Sequence, residues 1–385
     1  MKINGSDRLK NVTKPLILKT ICFTFIALTF SVLSSCATNK DTDFLDINSG
    51  AIENDLKLSK SKFKKFSIKK VSPDKKNKPR PSTTLEKDKK DSQTKGGGTG
   101  SQKSKQEKLD LGAKDKVVAG SLFYPYPSNY PEALKKYDKI SLKTWSLSRP
   151  KIFLGEKFTF RVAYLGITAG HIQMETLPIV EIGDREAYHF KAHMRSARYY
   201  SYIYKLDDSL ESFASVGDFI PMKYVLLQRE SVQKVDDVQL FDREELKTYH
   251  FYKRLKKGKT KELEIEKPIP RFFQDSFSAL HFVRGFPMNK GDLYEFPIVT
   301  RGKIWILKIK VEGKETIDVN GTDVLAFRLN AETRFPGVLE KKGDILFWYS
   351  ADKDKKLLKF EAQVKIGAVR GELVDYTPGR SIETL

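Results

Sequence analysis

The sequence predicts a mainly β fold: a single antiparallel, strongly curved sheet or incomplete β-barrel, with one helix packed on its concave side. Three observations carry that expectation. Aromatic residues are plentiful, with 25 Phe and 16 Tyr, and aromatic side chains suit pleated surfaces better than helices. After Gly120 the apolar and polar residues alternate with period two, the spacing of a strand that buries one face. Turn residues separate these runs, so that successive strands are joined largely as a meander.

The chain opens on an address. Lys10, Lys14 and Lys19 precede the apolar run Ile21–Leu33, which is short for a membrane span and fits the core of a secretory signal peptide. The run ends Leu33-Ser34-Ser35-Cys36, which resembles the lipobox of bacterial lipoproteins. That resemblance implies cleavage before Cys36 after diacylglycerol transfer to its sulfur, and removal of Cys22 with residues 1–35. Ala37 and Thr38 lack the aspartate associated with inner-membrane retention. The expected location is therefore the outer membrane, facing the periplasm, with the membrane as partner through the N-terminal lipid.

Residues 36–120 are expected to be a disordered basic linker. Their stretches KKVSPDKKNKPRPSTTLEKDKK and KGGGTGSQKSKQEK hold too little apolar surface to offset the conformational entropy of folding. Gly96-Gly97-Gly98-Thr99-Gly100 is not followed by the Lys-Ser/Thr of a phosphate loop. The patch FKKFSI, Phe63 to Ile68, stands out only for transient contact with membrane or cell wall. The chain's net charge of +21 is spread, with about +9 between Ala37 and Gly120. No basic-aromatic nucleic-acid module appears, so cell-wall contact through the linker is expected and nucleic-acid binding is not.

Residues 121–385 form the expected globular domain. SLFYPYPSNYP reads as an irregular lead-in arm. In FTFRVAYLG, Phe158, Phe160, Val162 and Tyr164 share a face opposite Thr159 and Arg161; Tyr188, Phe190, Ala192 and Met194 repeat the pattern. Further strands are expected at Ser201–Ser212, Met222–Glu230, Gln239–Arg254, Ile304–Val311, Val324–Thr333, Ile345–Ser350, Leu357–Ile366 and Val369–Tyr376. Lys257-Gly258-Lys259, Asn320-Gly321 and Gly343-Asp344 supply turns. DSFSALHFVRGF reads as the one helix, capped by Asp275 and ended by Gly285, with Phe277, Leu280 and Val283 at helical spacing.

Four stretches occur in the order seen in a known family: GEKFTFRVAYLGITAG, YKLDDSLES, QDSFSALHFVR and WYSADKDKKLLKFEAQVKIGAVRGELVDY. Over about Leu154–Tyr376 the chain resembles domain of unknown function 3108. Ser276 stands where members often have proline at the start of the helix. The resemblance implies an exported bacterial protein with a curved sheet similar to the half-barrels of periplasmic lipoprotein carriers, and it implies no activity.

Reactive constellations are sparse. His189 and His193 face the same way on a strand but lie roughly 13 Å apart, too far to chelate one ion. Adjacent Asp207-Asp208 and Asp236-Asp237 point to opposite faces. No nucleophile elbow, zinc-protease helix or nucleotide fingerprint is present, so no catalytic residue, metal site or cofactor is expected. The expected function is binding of a hydrophobic ligand, a lipid, acyl chain or apolar protein segment, lined by Phe158, Phe160, Tyr164, Tyr188, Phe190, Phe277 and Leu280. The alternative is an envelope scaffold with a filled core and a basic tether touching the cell wall.

Overall fold

Alternating side chains become strands when each face meets its own medium, and that alternation runs through most of the chain. The computed structural model describes residues 65–71, 125–334, 341–364 and 367–382. Cys36, the apolar leader and most of the expected linker lie outside the described residues. In chain order the elements are β1 (Ile68–Lys70), α1 (Glu132–Leu147), β2 (Ile152–Leu154), β3 (Lys157–Tyr164), β4 (Ile167–Ile182), β5 (Arg185–Ser196), a 3-10 turn (Tyr200–Tyr202), β6 (Asp207–Ser215), β7 (Pro221–Arg229), β8 (Gln233–Asp242), β9 (Lys247–Lys256) and β10 (Lys259–Pro268). There follow α2 (Ser278–Arg284), β11 (Leu293–Thr300), β12 (Lys303–Val319), β13 (Thr322–Arg334), β14 (Lys341–Ser350), β15 (Leu357–Gln363), β16 (Ala368–Thr377) and β17 (Arg380–Ile382).

The protein is mainly β, built on one large antiparallel sheet. Its order is β10-β9-β8-β7-β6-β5-β4-β3-β16-β15-β14-β13-β12-β11. Two meanders, β3 to β10 and β11 to β16, are sewn together by the pairing of β3 with β16. The terminal strands β10 and β11 do not pair, so the sheet is not closed into a barrel. The connection between them carries α2. At the open end of the sheet order, the β11–β12 turn reaches across instead: Arg301 N–H donates to Gln239 Oε1 of β8, and Gly302 lies against Ile265 and Lys267 of β10.

One large apolar cluster joins both meanders and both helices, from Trp145 of α1 through Phe160, Phe190, Phe282 and Phe296 to Phe360. Close packing at this density is what makes the interior intolerant of lost volume. A second, smaller cluster lies on β7–β9, where Val225, Leu227, Val238, Leu240, Tyr249 and Phe251 gather with Phe66. Strands β7 and β8 are therefore buried on both faces.

Several expectations change at this point. The helix at DSFSALHFVRGF is present: Asp275 Oδ1 accepts the N–H groups of Phe277 and Ser278 at 2.8 Å each, and Gly285 follows the last helical residue. It is not the only helix. In α1 the buried stripe is Tyr137, Asp138, Ser141, Thr144 and Trp145, at helical spacing but half polar, so hydrophobic periodicity does not reveal it. The polar members are anchored, Ser141 to Phe272 O and Thr144 to Glu295 O.

The run Gln239–Arg254 is two strands, because Asp242 Oδ1 accepts the N–H groups of Glu244 and Glu245 and turns the chain there. Gly343-Asp344 lies within β14 rather than in a turn. The start of Ser201–Ser212 is a loop and 3-10 turn. The FKKFSI patch, expected within the linker, in part joins the domain: Ile68–Lys70 pairs with Val180–Ile182 of β4, Phe66 is buried, and Lys65 bonds Asp242 at 2.8 Å.

Candidate functional site

The seven predicted lining residues separate into two groups. Phe158 and Phe160 on β3, Tyr188 and Phe190 on β5, and Phe277 before α2 are buried in the main cluster, and Leu280 packs against it from the helix. Phe160 and Phe190 are 0% exposed. Their neighbours are other core side chains: Phe160 meets Phe360 at 5.6 Å between centroids, and Phe190 stacks on His281 at 3.8 Å. Tyr164 belongs elsewhere, in a small cluster with Val369. Cys36, the predicted lipidation site, lies outside the described residues.

A buried ion pair locks the helix to the sheet. Glu156, between β2 and β3, accepts two bonds from the Arg284 guanidinium, at 2.6 and 2.9 Å, and one from the Tyr376 hydroxyl at 2.8 Å. Glu156 is fully buried and Arg284 nearly so. Arg284 also donates to Asp354 O and lies 4.6 Å over the Phe153 ring. Two-pronged geometry of this kind satisfies both charges out of water. Burial, and then the positive Arg284, push His281 down to about 3, so it is a neutral ring in the core.

A second buried network ties the β11–β12 turn to β8 and β9. Asp237 accepts from Arg301 and from His250 Nε2, the latter at 3.0 Å, while Arg301 lies 4.9 Å over the Tyr252 ring. Burial alone would raise the Asp237 carboxyl, but Arg301 and His250 outweigh it and bring it to about 2. An ionised carboxylate requires the facing imidazole nitrogen to be the donor. Further along β6 and β7, the Gln228 amide bonds both Asp208 and Glu230, at 3.3 and 3.2 Å. Burial first, then the neighbouring Glu230, push Asp208 up to about 7. Asp208 and Glu230 thus share one amide, but Asp208 is enclosed at 0% exposure.

On the opposite face of β5 and β6 the histidines meet carboxylates. His189 Nε2 is 2.8 Å from Glu211 and His193 Nε2 is 2.6 Å from Asp207. Among the described residues no group of three or more His, Cys, Asp or Glu is placed to hold a metal ion. A cleft of about 500 Å³ lies where the β12–β13 hairpin tip meets β15 and β16, with Ile317, Val319, Leu358 and Leu373 beside Arg161 and Lys359.

A different group, missed by reading faces of strands, stands in solvent at one end of the sheet. Leu165 and Ile167 flank the β3–β4 turn, and Tyr199, Tyr202 and Ile203 lie in the loop between β5 and β6, at 55–85% exposure. The sequence signal was the run RSARYYSYIYKL, which resembles a strand in composition but has no alternation.

A family model described as a protein of unknown function, DUF3108, matches residues 159–374. The chain belongs to the DUF3108 family. The matched DUF3108 region holds every strand from β4 to β15 and α2, together with most of β3 and β16. No curated protein matches the chain. Among solved structures, a β-barrel-like protein of DUF1849 from Brucella abortus is 10% identical, with a TM-score of 0.36, covering 59% of this chain and 98% of its own. A candidate lipoprotein from Parabacteroides distasonis is 9% identical with a TM-score of 0.27, covering 58% of this chain and 95% of its own. A candidate exported protein with a YmcC-like fold from Bacteroides fragilis is 9% identical with a TM-score of 0.28, covering 60% and 99%.

Proposed function

We propose that this DUF3108 protein is an exported, lipid-anchored module of the bacterial envelope that acts by binding at its surface, around a filled core. One observation carries the reading: the residues best suited to line an interior groove, Phe158, Phe160, Tyr188, Phe190, Phe277 and Leu280, pack on one another and on the helix. The signal-like run and the lipobox-like Leu33–Cys36 support export and anchoring.

The sheet's path supports a filled interior as well. Phe190 of β5 touches His281, and the Tyr349 hydroxyl of β14 donates to Leu280 O. In the sheet order β4, β3, β16 and β15 lie between those strands, which in a flat sheet would put them roughly 24 Å apart. Both nevertheless reach adjacent residues of one short helix. The sheet is accordingly read as strongly curved, with α2 as the plug on its concave side.

Native mass spectrometry of the acylated full chain, before and after organic extraction, tests the proposal. The expected mass is the chain with its own acyl groups and nothing else. A reproducible additional lipid that Phe190→Leu loses would overturn the filled-core reading.

A second reading has an observation of its own. The cleft beside Ile317, Val319, Leu358 and Leu373 has the volume of a small-ligand site, and its polar rim is a balanced set in which Arg161 and Lys359 both pair with Glu372. Under that reading the extra lipid mass appears and is lost in Ile317→Asp, while Phe190→Leu retains it.

A further inference from the structure

Apolar side chains that stay in water at loop tips need a reason, and here several meet at one end of the sheet. Tyr202 is 85% exposed, Ile203 69% and Leu165 61%, with Ile167 and Tyr199 above half. The loops that carry them are tied together. The Tyr199 hydroxyl donates to Thr168 O, the Ala197 N–H donates to Ala169 O at 2.9 Å, and the Leu165 side chain overlies Gly367 in the β15–β16 turn. A held cluster of this kind marks an interaction site, whereas scattered exposed residues do not.

Two features point to its partner. Leu165 has φ 49° at the apex of a hairpin, a left-handed position that Asn or Gly fills without steric cost. Neither burial nor turn geometry selects leucine there. The sequences Tyr164–His171, Arg195–Leu206 and Val364–Arg370 contain no Asp or Glu, while Arg195, Arg198, Lys205 and Arg370 are exposed around the tips. The adjoining carboxylates, Asp207 and Glu361, pair with Arg195 and Arg370, so the rim is net positive.

Protruding aliphatic tips, tyrosines and a cationic rim together match the lipid interface. Aliphatic groups enter the headgroup boundary, tyrosines sit at its level, and Arg and Lys meet anionic phosphates. The attachment point of the tether supplies the direction. Strand β1 pairs with Val180–Ile182, at the far end of β4 from Ile167. The length of β4 puts those ends roughly 50 Å apart.

We propose that this end of the sheet docks on an anionic lipid bilayer, one facing the bilayer that holds the N-terminal anchor. The proposal rests on the anchored, surface-acting reading above and names its partner.

The test uses the full chain purified with its acyl anchor and incorporated into neutral phosphatidylcholine donor vesicles. Phosphatidylglycerol-containing acceptor vesicles are added, and donor–acceptor clustering is followed by energy transfer. Clustering is expected with anionic acceptors and should weaken in high salt. It should fall by about tenfold or more in Leu165→Asn and in Tyr202→Ser/Ile203→Ser, since each loses buried apolar area, with circular dichroism unchanged.

Incorporated protein that ignores the acceptors would overturn the proposal, as would clustering that these variants leave intact. Clustering of donors alone would assign the patch to a second copy of the chain. A fluorophore at Tyr202→Cys that becomes buried in donors without acceptors would assign it to the anchoring bilayer; either result overturns the facing-bilayer arrangement. Failure to incorporate at all would instead sink the anchored reading on which the proposal stands.

Discussion

Leu165 and the pair Glu156–Arg284 show how differently single residues serve this protein. The left-handed backbone at Leu165 costs roughly 1 kcal/mol relative to a residue that tolerates it. Leu165→Asn should therefore raise the thermal midpoint by a few degrees while weakening vesicle clustering about tenfold or more, a split readable by calorimetry alongside energy transfer. Glu156→Gln does the opposite kind of damage, stranding a buried guanidinium. It should cost about 3–5 kcal/mol by urea denaturation, and adding Arg284→Met should recover much of that, because an apolar replacement of a whole buried pair is often tolerated. If the double variant is as unstable as the single one, the pair's hydrogen bonds to Tyr376 and Asp354 matter more than its charge.

The elements differ in how plainly they announce themselves. Strand β5 alternates cleanly and was legible, as was α2 with its Asp275 cap; β3 and β16 alternate up to a bulge, which in β3 follows Val162 and moves Tyr164 off the face of Phe158 and Phe160. Strands β7 and β8 are buried on both faces, which erases alternation, and α1 buries Asp138, Ser141 and Thr144 because each finds a backbone partner far away in the chain. Strand β1 is the extreme case, three residues whose value depends on the open edge of β4 and on Phe66 reaching the β7–β9 cluster. Phe66→Ala should destabilise by about 3 kcal/mol, and hydrogen exchange should speed up first at Val180–Ile182. Unchanged exchange there would mean that β1 contributes nothing to the sheet. In α1, Trp145→Ala should cost about 3–5 kcal/mol in the same urea assay, since Trp145 packs on Phe272, Phe282 and Phe296.

At the scale of the whole molecule, buried carboxylates set a window of stability in pH. Burial acts first to raise Glu211, but His189 and Lys191 overcome it and hold the carboxyl down at about 2; Asp237 is held at about 2 by Arg301 and His250. With folded values below their unfolded ones, both groups stabilise the fold above about pH 4.5, and that contribution is lost as pH falls toward 2. Asp208 has the opposite sign. Raised to about 7, it favours the fold most below its unfolded value near 4, and this contribution is lost progressively as pH rises from about 4 to 7. Between about pH 4 and 7 the wild type should therefore lose stability that Asp208→Asn keeps, a difference read from urea midpoints across pH.

From sequence alone followed the β class, the family and the α2 helix, because each is written in local spacing: alternation, a motif, a cap. Tertiary structure decided the rest. It paired β3 with β16, brought Glu156 to Arg284 and Asp237 to Arg301, and closed the predicted lining aromatics into a core. Such choices depend on residues far apart in the chain meeting in space, and the periodicity of one segment carries no record of what will cover it. The exposed tips follow the same rule, since Leu165, Tyr202 and Ile203 become a patch only when two distant turns are set side by side.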